Sequence, residues 1–485
     1  MIQSIKSGAL KSALLLLAAS TAPFTIQAQD DVLILIDDVQ FDDGLIFDDD
    51  SFGFDDGLFA SAFDEDSSSE ESWLDNFTIK LSQQFFGQVN NHSTELFPDF
   101  IFPQPDELSN NRLGINIRYQ NPFAPGWLLQ ASAQAKAYWK GDYEYEANDD
   151  RIDTEYRLNE FFLQRSFDQH SIKFGNQTVV WGETVGNSVL DVINTSEFRD
   201  FTIIDIEDAR LNQLMVVWDF FGEDSNFSTF VNLYPEFNPP AVRGSPFFFE
   251  PEFNLTDYDR DSELLFEVGT QWRKSFEGSD IAFMAAYLYE NQLRYEDPAL
   301  GFGDAVGEKN NFLLLGFSAN RAIGKLLLNF DLAFSHNVLA DSFNFPGTTS
   351  LGSSVNLRKD QIGTSFGFEY AVSNEQSVSV GVQAQMLIDE DDGLMPGQSL
   401  INDGVFGSWL MRYSNTLMNG DLVLSSTMQG DLKADSLLVL FGADYTINDN
   451  WAVNAQIISI NAASDSPLLL FDENVHLGFT TTYSF

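Results

Sequence analysis

The chain has no cysteine. That excludes a disulfide framework, a zinc–thiolate site and a thiol nucleophile. Basic residues are also few, with 25 Lys and Arg against 73 Asp and Glu and a net charge of −48. Phosphate recognition needs a basic face, so nucleic acid is excluded as a partner. No run of about 18 apolar residues occurs beyond the N-terminus, which excludes helical membrane spans. Histidine is scarce: His92, His170, His336 and His476 stand in no Gly-x-Ser-x-Gly or His-Glu-x-x-His setting. No catalytic residue, cofactor or metal ligand is therefore expected. The one enzymatic route left open is a Ser or Asp that the fold itself groups with a His.

Alternation is abundant. In the last stretch Val475, Leu477, Phe479, Thr481, Tyr483 and Phe485 interleave with Asn474, His476, Gly478, Thr480, Thr482 and Ser484. On a strand this places an aromatic face against a small polar one. A strand of about 10 residues with that pattern suits a tilted crossing of an outer membrane. The terminal Phe485 also resembles the signal read by the barrel assembly machinery. The same alternation runs through Phe77–Phe85, Leu113–Tyr119, Leu129–Trp139, Leu326–Phe334, Ile362–Tyr370, Val378–Met386 and Leu437–Tyr445. With 46 Phe in the chain, the composition fits a lipid-facing wall, and a slightly negative mean hydropathy does not oppose it, because barrel strands hide half their hydrophobicity.

The N-terminus reads as a secretory signal over 1–28. Lys6 and Lys11 are basic, Ala13–Ala19 is apolar, and cleavage is expected after Ala28. The chain is thus expected in the outer membrane of a Gram-negative cell, beside lipid and lipopolysaccharide. Residues 29–72 form an acidic low-complexity extension with FDDG at Phe41–Gly44 and again at Phe54–Gly57. Like charge opposes collapse. A solvated tail, a segment that docks a periplasmic transport partner or plugs the barrel, and a weak cation site all remain open. The acidity at large fits attraction of cations at the surface, solubility in transit, or simply a salt-rich habitat.

From Trp73 onward the connections sort into two lengths. Short ones fall near Asn121–Gly126, Asp168–Ser171, Gly222–Asn226, Glu277–Asp280, Ala322–Lys325, Ser373–Gln376, Thr416–Gly420 and Asn448–Asn450. Longer ones lie between them. Alternating short periplasmic turns and long outer loops predict an all-β, antiparallel outer-membrane barrel of about eighteen strands (16–20) over 73–485. The long loops are acidic. In one of them Asp257, Asp259 and Asp261 have calcium-loop spacing, but Ser262 replaces the expected Gly, so a solvated loop is the better reading.

The most unusual stretch is Gly175–Phe247. The connection Gly182–Asn212 carries Val185, Val189, Leu190, Val192, Ile193, Phe198, Ile203 and Ile204 among charges of both signs. A free surface loop would not hold so much apolar content, so an inward fold into the lumen is expected. Trp181 and Glu183 would anchor it to the wall, and Asp191, Arg199, Asp205, Asp208 and Arg210 would line the constriction.

This stretch holds GNQTVVWGE (Gly175–Glu183), DIEDARL (Asp205–Leu211), YPEFNPP (Tyr234–Pro240) and GSPF (Gly244–Phe247). Together these motifs resemble the bacterial outer-membrane barrels of domain-of-unknown-function family 1302. That family typically has Arg where Asn176 stands, so one lumen-side positive charge is missing here. The resemblance implies a porin-like envelope protein, considered alongside transport of lipidic or hydrophobic compounds, and supplies neither substrate nor catalytic residues.

Strand parity places Arg118, Lys136, Lys140, Lys173, Arg273 and Arg412 on the inner face, with Glu267, Glu369 and Asp444. Opposed ladders of charge would orient permeating solutes; ordinary ion pairing that stiffens the wall is the alternative. The expected function is a pore for a small or hydrophobic solute, with a periplasmic partner in some readings. A non-conducting structural or docking barrel is the runner-up.

Overall fold

Leu477 and Phe479 are each 46% exposed, while His476, one step along, is 2% exposed. In a soluble sheet the aromatic face would be the covered one. Here the apolar face is outermost, and the polar face turns to an enclosed interior. The same inversion recurs around the molecule. Phe330, Leu332, Phe366 and Phe441 face out, while Asn329, Asp331, Ser365 and Gln456 are buried.

The computed structural model describes residues 76–90, 108–139, 153–184, 188–197, 210–239, 255–256, 265–295, 305–344, 352–389, 398–400, 405–432, 436–463, 469 and 471–485. The readings made for 1–28 and 29–72 lie outside these residues, as do Lys140, Arg199, Asp205 and Asp208.

The wall begins with β1 (Phe77–Asn90), β2 (Leu108–Ala124), β3 (Trp127–Tyr138), β4 (Asp153–Phe167), β5 (His170–Gln177) and β6 (Gln213–Phe221). It continues with β7 (Ser225–Tyr234), β8 (Glu267–Phe276), β9 (Ser279–Tyr289), β10 (Asn311–Ile323), β11 (Leu326–Asn344) and β12 (Gly352–Ala371). The remaining staves are β13 (Gln376–Ile388), β14 (Val405–Leu417), β15 (Leu422–Asp431), β16 (Leu437–Asn448), β17 (Trp451–Asn461) and β18 (Val475–Ser484). Each pairs antiparallel with its neighbours in sequence. The ring closes where β18 pairs with β1, with Phe479 opposite Phe85 and Tyr483 opposite Leu81. The result is a closed antiparallel barrel of eighteen strands.

All eight expected short connections are tight turns between consecutive staves. Gly278 and Gly324 take φ of 69° and 64° in two of them, a region that residues with a Cβ adopt only under strain. Both ends of the wall, Phe77 and Ser484, lie at this short-turn end. Beyond the opposite end, short strands add to the wall, among them Gln398–Leu400 against Ser342–Asn344 of β11.

Strand length is uneven. β5 and β6 have 8 and 9 residues, whereas β11 and β12 have 19 and 20. A tilted strand needs about 9–11 residues to cross the hydrocarbon, so β5 and β6 are close to the minimum. The chain leaves the wall at Gln177 and rejoins it at Gln213, which pairs directly with Gln177. The intervening connection is the unusual stretch singled out in the sequence.

Candidate functional site: a segment held inside the barrel

A barrel interior is ordinarily polar, yet on β6 to β11 much of the inner face is apolar. Met215, Val217, Phe230, Met284, Leu288, Leu314 and Ala333 are buried there, and they form one cluster with Trp181, Val189, Leu190 and Ile193 of the connection after β5. Leu190 and Ile193 are each 0% exposed. Burying such side chains stabilises the arrangement by about 1.5–3 kcal/mol each. Glycines on the inner face make room for the segment. A Cβ on Gly316 would stand 2.6 Å from Leu190, one on Gly363 would stand 3.1 Å from Val189, and one on Gly269 would stand 2.7 Å from Trp181. The described parts of the connection therefore lie inside the barrel, along the wall from β6 to β12.

Polar contacts fix the depth of its tip. Arg273 of β8 donates to the Glu183 carboxylate in an ion pair, and Asn320 of β10 donates to the other Glu183 oxygen at 2.8 Å. Asp331 of β11 receives the backbone N–H of Glu183 (3.1 and 3.3 Å), the N–H of Thr184 (3.0 Å) and the Ser188 hydroxyl (2.9 Å). The Val189 N–H donates to the Ser365 hydroxyl of β12 at 2.8 Å. Arg273 and Asn320 each lie three residues from a short turn. At about 3.4 Å per residue, the tip sits deep, near the short-turn end.

The way back is also braced. Both polar atoms of the Asn194 side chain bond the Val179 backbone, at 3.0 and 2.8 Å. Asn291 donates to the carbonyls of Val192 (3.2 Å) and Asn194 (2.6 Å). Thr195–Ser196 pairs with Arg210–Leu211. Arg157 of β4 reaches the buried Glu197 at 3.3 Å, and Arg210 reaches Asp191 at 3.1 Å.

The sequence-selected residues thus separate. Trp181 is buried against Phe230, with ring centroids 5.6 Å apart, and Glu183 is held by Arg273. Asp191 and Arg210 pair with each other higher in the same connection. The inner-face charges are bonded locally. Arg118 lies 3.5 Å from Glu160, and the Lys173 ammonium lies 5.2 Å from the centre of the Phe162 ring. Glu267 accepts from Tyr289 N–H (2.8 Å) and Asn232 (2.7 Å). Glu369 accepts from Asn329 (3.2 Å) and Asp444 from Asn454 (2.6 Å). Lys136 and Arg412 stand on inner-face positions of β3 and β14. The sequence reading missed Asp331, Asn320, Ser365, Arg157 and Glu197. Asp331 carried a signal: it is an acid between the outward Phe330 and Leu332.

Away from the segment the inner face is mixed, with Phe86, Leu410, Leu438, Leu440, Ile458 and Ile460 buried among polar side chains. Gln130, Ser132, Gln383, Thr427, Gln429 and Gln456 line it, each under 9% exposed. At the short-turn mouth Thr78 and Lys80 are exposed, and the Arg118 side chain is 43% exposed. Inner-face side chains are thus exposed at that end and shielded further in.

The chain carries a match to a family model, "Protein of unknown function (DUF1302)", over residues 129–252. The matched region runs from β3 through the inward segment and past β7. The motifs Gly175–Phe247 that carried the resemblance fall within it. No curated protein matches the chain. Among solved structures, Acinetobacter baumannii OccAB1 is similar at 9% identity with a TM-score of 0.50, covering 87% of this chain and 99% of that one. Pseudomonas aeruginosa OccK5 (OpdH) is similar at 10% identity, TM-score 0.45, covering 86% and 99%. OmpT, an outer membrane protein of Vibrio cholerae, is similar at 11% identity, TM-score 0.39, covering 84% and 96%. The likeness is one of fold. This chain has the closed-barrel fold of porin-like outer-membrane proteins.

Proposed function

We propose that this barrel is an outer-membrane channel for a small or hydrophobic solute, and that the Gly182–Asn212 connection filters what passes. The observation that carries the reading is the seating of Glu183 between Arg273, Asn320 and Asp331, deep inside the wall. A barrel of 16–18 strands is wide enough to enclose water. A segment packed on one side of it narrows the passage. Gln130, Gln429 and Gln456, on the wall away from the segment, suit a small polar solute. The apolar face beneath the segment suits a hydrophobic one if the segment lifts.

In this reading the chain is not an enzyme. Residues 1–28 direct export, and Phe485 serves recognition by the barrel assembly machinery. The wall sits among outer-membrane lipid and lipopolysaccharide. The acidic 29–72 extension is available to a periplasmic transport partner.

The test is single-channel conductance of the refolded chain in a planar bilayer, at two salt concentrations with reversal potentials. A steady, cation-selective conductance is expected from the acidic balance of the chain. The shielding of the inner face favours a second reading, a non-conducting docking barrel. Silence of the full chain and of a chain lacking 185–209 would select it.

A further inference from the structure

Five consecutive staves carry no carboxylate. β17, β18, β1, β2 and β3 contain neither Asp nor Glu, in a chain with 73 acidic and 25 basic residues. Their Lys and Arg residues, Lys80, Arg112, Arg118 and Lys136, all stand on inner-face positions. Register sets their heights. From the short-turn end inward, Arg118 is level with Thr78, Lys80 with Asn116, Lys136 with Gly114 and Ser82, and Arg112 with Gln84. Successive levels are two residues apart, about 7 Å. The cations therefore climb the wall as a ladder instead of meeting at one point. Arg112 closes the top, buried, with its guanidinium 5.2 Å from the centre of the Tyr138 ring. The three lower rungs are accessible: Lys80 is exposed, and Arg118 and Lys136 are half-exposed. The side chains between them are uncharged and also half-exposed, among them Ser82, Asn116, Thr480 and Thr482.

Carboxylates flank this arc. On β4, Glu160 lies 3.5 Å from Arg118 and Glu155 accepts from the Tyr138 hydroxyl. On β16, Asp444 accepts from Asn454. The turn between β2 and β3 has no charged residue, and Asp449 stands in the turn between β16 and β17. The turns after β6, β8 and β12 carry Glu223, Asp224, Glu277 and Glu375, so like charge turns an anion at this mouth toward the arc. The chain itself supplies one. Residues 29–72 hold sixteen carboxylates and no Lys, Arg or His, and only residues 73–76 separate them from the start of β1 at the short-turn end. A segment of this length reaches up to about 150 Å, against about 14 Å from the Arg118 level to the Lys136 level. A tethered segment meets its site at an effective concentration of order mM, so weak, spread charge pairs suffice.

We infer that the inner arc of β17, β18, β1, β2 and β3, with Arg118, Lys80 and Lys136 as its rungs, is the docking site of the chain's own 29–72 segment. The segment enters at the short-turn mouth and lies along the wall away from the inward connection. A partner that draws the extension out uncovers the arc. The inference rests on the barrel, and holds whether or not the lumen conducts.

The test is the rate at which an uncharged, soluble maleimide labels Asn116→Cys in the full refolded chain, which has no other cysteine. At low salt the native extension is expected to slow labelling several-fold relative to a chain that also carries D42N/D43N/D48N/D49N/D50N/D55N/D56N. Salt of about 1 M, where charges are screened beyond about 3 Å, is expected to remove the protection from the native extension, and so is K80Q/K136Q. The salt comparison needs no further variant, so it stands if the substituted chains do not refold. Ser377→Cys, a half-exposed inner-face position near the short turn on β13, is the control and is expected to label at one rate throughout. Labelling of Asn116→Cys that ignores both salt and the substitutions would overturn the site. Equal protection of Ser377→Cys would overturn it too, because the extension would then fill the mouth without preferring the arc.

Discussion

Glu183 and Arg273 stand 90 positions apart in sequence and form an ion pair inside the barrel, with side chains 5% and 9% exposed. Removing one member of a buried pair leaves the other uncompensated, typically at a cost of about 3–5 kcal/mol. Arg273→Met is therefore expected to unseat the tip of the inward segment while the wall, held by its strand ladder, stays closed. The measurement is conductance in a planar bilayer beside gel mobility of the unheated barrel. A variant with native mobility and raised or flickering conductance is the expected outcome. An unchanged trace would mean that the pair does not hold a filter.

Asp331 gathers three different donors from the segment: the N–H groups of Glu183 and Thr184 and the Ser188 hydroxyl. Asn in its place keeps one acceptor oxygen and turns an NH₂ toward backbone N–H groups. A buried donor left without an acceptor costs about 1–3 kcal/mol. Asp331→Asn should thus raise protease cleavage between 185 and 209 several-fold without altering overall thermal stability. Cleavage at the native rate would refute the anchoring role.

The inner-face glycines predict a rescue. Gly316→Ala pushes a methyl group to 2.6 Å from Leu190, and overpacking of this kind costs about 1–3 kcal/mol. Leu190→Ala alone leaves a cavity and costs about 2–5 kcal/mol. Combined, the two should cost less than their sum, because each relieves the other. Thermal unfolding of the four proteins in detergent measures the coupling, and strict additivity would place Leu190 elsewhere.

A chain without cysteine suits single-cysteine labelling. Cys at Gln169, in a short turn, should react with a membrane-impermeant maleimide only after the outer membrane is opened. Cys at Asp389, at the far end of β13, should react in intact cells. Cys at Ser188 should react slowly in both cases. Reversal of the first two would invert the orientation assumed for the channel.

Much of this architecture is legible in the sequence because lipid on one side and an enclosed interior on the other impose a strict two-residue period. Phe479 and His476 could be assigned to faces from the pattern alone, and Gly278 and Gly324 marked turns for a steric reason. In the connection after β5, Leu190 and Ile193 were legible as side chains that seek cover, having no use for water. What receives the segment was not legible. Asp331, Asn320 and Ser365 look like any polar inner-face residue, and nothing local marks which of them meets a backbone N–H from another part of the chain. Glu197 was missed for the same reason, because its partner Arg157 lies 40 positions away.

The separation of 148 positions between Glu183 and Asp331 sets an order of events during biogenesis. Until β8 to β12 are in place the inward segment has neither its cation nor its carboxylate, and Leu190 has no cover. Seating is a late step, taken only when the wall has curved around it. A barrel that stalls part-way therefore leaves its apolar strand connection unsheltered, and that exposure is what separates an unfinished barrel from a finished one.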